Sequence, residues 1–271
     1  MGNGMAALPV VFHRPKAGSK ETEWEDCAGH DGGDPAAARP ARFVVVDGAT
    51  EAYDSLRWVR QLVASFLGKD RDGGTPALTT QGLDEWFGRM QQRWLDEAPR
   101  TFANVFEERK FHEDGSFATF LGCEIHGLGG PRPSWSAAAL GDAVLFHVRG
   151  GRVVGLLPQL GPEDFGLNPE GLFTQPSQRG RMRAALVFDA APLTVGDWLF
   201  LATDAFAQWL TRCERDAGSG CWRMLAEIEH PADFARLVDR ERRARRMKND
   251  DVTLLRVEIA PADADVLVVC R

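Results

Sequence analysis

Apolar residues along this chain fall into two kinds of pattern, continuous short runs and helical repeats, separated by glycine- and proline-rich stretches. Residues 43–46 (FVVV) form a β-branched apolar run that stops at Asp47-Gly48, which predicts a buried strand. Residues 198–202 (WLFLA) predict a second, stopping at Thr203-Asp204, and residues 252–259 (VTLLRVEI) the last full one. Residues 117–126 read as a strand. Residues 136–148 and 153–157 read as a hairpin about the turn Arg149-Gly150-Gly151-Arg152. Over 52–67, Trp58, Leu62, Val63, Phe66 and Leu67 recur at helical spacing. Further helix is expected over 83–106, broken near Pro99, then through Trp209 and Leu210, and over the arginine-rich 231–248. Residues 29–42, 69–76 and 127–133 read as surface loops. Hairpin-like neighbouring strands with long helices inserted between them predict an α+β layered fold over a doubly wound parallel sheet. No linker stands out, so one domain over 1–271 is expected.

Composition narrows the function classes. Of 271 residues 44% are hydrophobic, enough for a sizeable core, yet no apolar run approaches the roughly 18 residues a membrane span needs. The start lacks a basic segment followed by an apolar one, so no secretory signal is expected, and Ala6 breaks the resemblance of Met1-Gly2 to an acylation start. Five scattered cysteines without a CxxC pair argue against a thiolate zinc site or a disulfide framework and suit a reducing cytoplasm. A net charge of −7 argues against nucleic-acid or anionic-membrane partners.

The chemistry is carried by aspartates at strand ends. Asp47 and Asp204 each close an apolar strand, Asp250 and Asp251 precede a third, and Asp142 sits inside LGDAVLF. If the third strand runs antiparallel to the others, these carboxylates converge on one edge of the sheet. Like charges brought that close repel, so the cluster calls for a cation, and oxygen-only ligation suits magnesium or manganese. Any one of them alone reads more readily as an ordinary turn or cap, and only their joint order favours a site.

Taken together, Glu25-Asp26, VVVDGA (44–49), GSFAT (115–119), LGDAVLF (140–146), LFLATDA (199–205) and NDDVTLL (249–255) resemble, in order, the motifs of the type 2C (PPM-type) metal-dependent protein phosphatases, with VDGATEAYDSLRW closest to a bacterial branch. The resemblance spans about residues 25–259. It implies a four-layer α-β-β-α sandwich of two mainly antiparallel sheets. It also implies hydrolysis of phosphoserine or phosphothreonine on a protein substrate by a water activated between two manganese or magnesium ions. Carried over, Asp47 bridges the ions with the Gly48 carbonyl beside it. Asp204 and Asp250 complete the catalytic set, Glu25 and Asp26 hold bound waters, and Asp142 contributes to a third, weaker ion. Ser116 and Thr119 match a structural turn.

The sequence departs from the family at three points. Ala205 replaces the usual glycine after Asp204, Thr50 stands where relatives carry other residues, and no basic residue matches the phosphate-gripping position, for which Arg14, Lys16 and Lys20 are the nearby candidates. These departures leave a pseudophosphatase, a metal- or partner-binding module, as the alternative. The run Arg236, Arg240, Arg242, Arg243, Arg245, Arg246 and Lys248, broken by Asp239 and Glu241, reads as a solvated helix face before a nucleic-acid site, with a middle reading in which some of it attracts a phosphorylated substrate. Cys123 and His126 fall on opposite faces of a strand, the glycines of HGLGGPR lack dinucleotide-loop spacing, and the tryptophans suit a core.

Overall fold

The computed structural model describes residues 4–20, 24–34, 37–49, 52–71, 74–97, 101–166, 169–217 and 220–262. Its strands are β1 (Met5–Arg14), β2 (Cys27–Asp31), β3 (Ala41–Val46), β4 (Phe117–Ala118), β5 (Phe120–His126), β6 (Ser134–Leu140), β7 (Val144–Arg149), β8 (Arg152–Leu157), β9 (Leu172–Phe173), β10 (Val187–Pro192), β11 (Trp198–Ala202) and β12 (Val252–Pro261). One sheet has the order β1-β12-β11-β7-β8 and the other β10-β6-β5-β3-β2, while β4 and β9 form a small pair. Every ladder is antiparallel. The helices are α1 (Ser55–Phe66), α2 (Thr80–Asp96), α3 (Val105–Arg109), α4 (Arg179–Ala185), α5 (Asp204–Ala217), α6 (Gly220–Ala226) and α7 (Pro231–Arg243).

Alternation along the strands builds the layers. Phe43, Val45, Leu121, Leu201, Leu255 and Val257 fill the space between the sheets. Val44, Val46 and Phe120 face α1 and α2, packing on Trp58, Phe66 and Trp86. Phe146, Phe200 and Leu254 face α5, α6 and α7. Strands covered on both faces read as continuous apolar runs, which is why FVVV and WLFLA were conspicuous. The expected α-β-β-α sandwich is the architecture found. Among the described residues no helix is long and apolar enough to cross a membrane, and Cys27, Cys123, Cys213 and Cys221 form no disulfide.

Several expected boundaries are corrected. The loop expected over 29–42 begins with β2, because Gly29 serves a close approach to α1 instead of a turn: a Cβ there would meet Leu67 Cδ1 at 2.8 Å. The strand expected over 136–148 is two, parted at Gly141 (φ 108°), where the chain crosses from one sheet to the other. Residues 117–126 likewise divide, β4 leaving to pair with β9. The helix expected over 83–106 is α2 followed by a separate α3, and its proposed break at Pro99 lies outside the described residues, as do Thr50 and Cys270. The last helix ends at Arg243, ahead of left-handed Arg245 (φ 56°), instead of running to 248. The hairpin turn is as expected, with positive φ at both Gly150 and Gly151.

Candidate active site

The fold brings the strand-end aspartates together, but not on one sheet. Asp47 leaves β3, whereas Asp204 follows β11 and Asp250 precedes β12 in the other sheet. The convergence expected at a single sheet edge is therefore a convergence at the rim where two stacked sheets meet. Asp142 sits on the Gly141 crossing between them, and Gly141 is required there, since a Cβ would lie 2.5 Å from the Glu170 carbonyl oxygen. Asp47, Gly48, Asp142, Asp204 and Asp250 line one cavity of about 590 Å³, walled further by Phe117, Phe173 and Arg181.

Local bonding fixes each carboxylate. The Asp47 carbonyl accepts the Thr119 amide at 2.8 Å, and Gly48 bridges to Ala118, holding the end of β3 against β4. Gly48 packs against the Glu25 carbonyl, where a Cβ would come within 2.8 Å. Asp26 is buried, 1% exposed, beneath the cavity. Its Oδ2 accepts Thr203 Oγ1 at 3.0 Å and Thr253 Oγ1 at 2.8 Å, while Oδ1 has no donor. Asp142 Oδ1 is also buried without a donor. Glu25 does not line the cavity. Its carboxylate accepts Ser55 Oγ at 2.5 Å and lies 4.0 Å from Lys16 Nζ.

Electrostatics follow from this crowding. Burial, then the charges of Asp26, Asp204 and Asp142, push the Asp47 carboxyl well above the ordinary range. Burial raises Asp26 to about 7 against the opposing Thr253 bond. Burial and the Asp204 charge raise Asp142 to about 7. Such a cluster is short of positive charge.

Among the described residues two cationic side chains reach the cavity, and sequence reasoning placed neither there. Lys248, read as the end of a basic helix, lies beyond the helix and points inward. Its Nζ is 3.0 Å from Asp204 Oδ2 and 2.8 Å from Asp250 Oδ2. Arg181 on α4 is paired with Glu170. The suggested phosphate grips lie elsewhere: Arg14 is bonded to Asp239 on α7, and neither Lys16 nor Lys20 lines the cavity. Asp251, which had no assigned role, accepts the Lys16 amide at 2.8 Å and the Glu25 amide at 2.9 Å, clamping the Glu25-Asp26 segment. Its place beside Asp250 was the available signal. Ala205 is helical and 1% exposed, so the methyl that departs from the family motif fills core without straining backbone. Four arginines of the run are engaged with the protein itself: Arg236 pairs with Asp233, Arg240 and Arg246 hold buried Glu241, and Arg242 donates to the carbonyls of Pro15 and Asp250. Among the described residues, no group of three or more His, Cys, Asp or Glu side chains stands in an arrangement that could hold a metal ion.

By sequence, no family model and no curated protein matches the chain. By structure, its fold is that of the PPM-type protein serine/threonine phosphatases. It is similar to the photosystem II phosphatase PBCP, with a TM-score of 0.59 and 15% identity over 93% of this chain and 98% of that one. Staphylococcus aureus Stp1 matches with a TM-score of 0.61 and 13% identity, over 95% and 97% of the two chains. The catalytic domain of PstP, solved with two manganese ions, matches at 0.59 and 13%, over 94% and 99%. At these identities the likeness is one of fold.

Proposed function

We propose that this chain is a metal-dependent phosphatase that removes phosphate from serine or threonine side chains of a protein substrate in the cytoplasm, working as one domain. The observation that carries the reading is the pair of buried carboxylate oxygens, Asp26 Oδ1 and Asp142 Oδ1, left without donors inside a cluster whose Asp47 carboxyl is driven well above its ordinary range. Buried polar atoms ordinarily have partners, and an all-oxygen cluster short of positive charge is the donor set that hard divalent cations favour. The Asp47 side of the cluster fits manganese or magnesium, and the two manganese ions of PstP support the same reading. Asp47, the Gly48 carbonyl, Asp204 and Asp250 would hold the ions, Asp142 would serve a third, weaker one, and Glu25 and Asp26 would support from behind. Bound there, the cations would supply the Lewis acidity that makes water a nucleophile at neutral pH.

The chain's own residues do the rest. Thr203 and Thr253 lock Asp26 through one oxygen and leave the other without a donor. Asp251 and Arg242 anchor the segment carrying Asp250 to the N-terminal residues. Phe117 and Phe173, with ring centroids 4.8 Å apart, wall off solvent on one side. Arg181 offers a guanidinium to the entering phosphate dianion.

Hydrolysis of p-nitrophenyl phosphate with manganese, magnesium or chelator tests the proposal. We expect manganese-dependent turnover that chelator abolishes and that Asp47→Asn lowers at least about 100-fold, the scale for losing a principal transition-state stabiliser. Chelator-resistant turnover would contradict it. One observation favours a second reading, a catalytically weak regulatory module: the Lys248 ammonium sits between Asp204 and Asp250. A folded protein inactive with every metal would establish that alternative.

A further inference from the structure

We infer that Lys248 is a tethered counter-ion that holds the place of one of the two divalent cations, so that an ion settles between Asp204 and Asp250 only by displacing it. The inference rests on the metal reading above and concerns how that site is loaded.

The ammonium lies within hydrogen-bonding distance of both carboxylates, 3.0 Å from Asp204 Oδ2 and 2.8 Å from Asp250 Oδ2. The segment that carries it is fastened on both sides. Met247 before it is buried in the core under α5 and α7. Asn249 after it accepts the Ala17 amide at 2.7 Å through Oδ1. Arg242 holds the Asp250 carbonyl, and Asp251 holds the backbone of Lys16 and Glu25. Only the four-carbon stem is free to move, and the side chain is 43% exposed, so the ammonium can swing toward solvent but not drift from the site. A group tethered this way competes at a high effective concentration with any ion from solution.

Lysine serves one half of the cluster and not the other. Asp26 Oδ1, in the half around Asp47, receives no donor, whereas Asp142 lies within reach of the Lys248 charge. The half around Asp47 therefore takes a divalent cation without competition, whereas the Asp204–Asp250 half already holds a positive charge. Equal filling of two sites is replaced by ordered filling, one ion readily and the second against Lys248.

Manganese titration of the full chain by calorimetry, with ions per chain counted by native mass spectrometry, tests this without reference to turnover. The wild-type isotherm is expected to show two steps at least tenfold apart in affinity, or one step alone. Lys248→Met, which removes the charge and keeps the stem, is expected to bind one more ion per chain at the same free manganese, or to tighten the weaker step at least tenfold. Lys248→Arg is expected to behave as wild type. In chelator, Lys248→Met is expected to melt below wild type, because Asp204 and Asp250 then face each other without a counter-charge. Two equal wild-type steps, or identical isotherms for wild type and Lys248→Met, overturn the inference and leave the metal reading standing. Should neither protein bind manganese, both fall together. The wild-type isotherm decides the matter even if the variant does not fold.

Discussion

Arg181 reaches the cavity wall from α4, its guanidinium 5.6 Å from the Phe173 ring centroid and bonded to the exposed carboxylate of Glu170. Under the proposed reading, an arginine so placed would meet substrate on arrival and leave the reacting atoms to the aspartates. Arg181→Ala is accordingly expected to raise KM for a phosphopeptide about tenfold, the scale of one exposed charge-assisted hydrogen bond, with kcat within about twofold. Steady-state kinetics on a phosphothreonine peptide would show the split, and an equal fall in kcat would contradict it. Nothing in the sequence pointed to this residue, because α4 carries no motif and the aspartates that line the same cavity lie far away in the chain. Asp47, Asp204 and Asp250 were legible for the opposite reason. Each interrupts or borders an apolar strand, where a charged residue is conspicuous. Lys248 was misread because a basic run suggests a continuing helix, and only the left-handed Arg245 turns it inward.

At the scale of elements, the sheets are tied by more than apolar packing. Trp135 on β6 donates through Nε1 to His147 Nδ1 on β7 at 3.0 Å, and His147 Nε2 meets Asp197, in the turn before β11, at 3.0 Å. Burial alone would raise the Asp197 carboxyl, but the Arg149 guanidinium, the Thr194 amide and His147 outweigh it and hold the group at about 2. Burial also pushes the His147 imidazole below its ordinary value. Both groups are depressed on folding, so both contribute stability at neutral pH. The histidine's share is lost as pH falls below about 6.5, and that of Asp197 as pH falls from about 4 toward 2. The Asp197 share is about 2 kcal/mol. Asp197→Asn is expected to cost about 3 kcal/mol at pH 7 and to flatten the acid limb of the stability profile, measured by urea unfolding from pH 7 to pH 3. The same scale explains which elements were legible. Strands buried on both faces announced themselves, whereas β1 and β10 did not, being half-exposed sheet edges that each contain a proline, Pro9 and Pro192.

For the molecule as a whole, the crowded carboxylates make the protein less stable than its packing allows. A cation that binds only the folded chain stabilises it by about 2.7 kcal/mol at a hundred times its dissociation constant. For a chain of this size that corresponds to a rise in Tm of roughly 5–10 °C. Manganese is expected to produce this shift in wild type and less than half of it in Asp47→Asn, read by differential scanning fluorimetry. The architecture was legible because each layer leaves its own periodicity. The two-sheet origin of the site was not, since no local pattern records which sheet a strand joins. One feature of that architecture also bears on how the chain is made. β1 pairs along its length with β12, and Asp251 grips the Glu25 amide across 226 residues. On a ribosome adding about 5–20 residues per second, β1 waits roughly 10–50 s for the strand that covers it. A nascent chain therefore carries an uncovered LPVVF edge for most of its synthesis, and the carboxylate cavity is complete only once the segment leading into β12 has emerged.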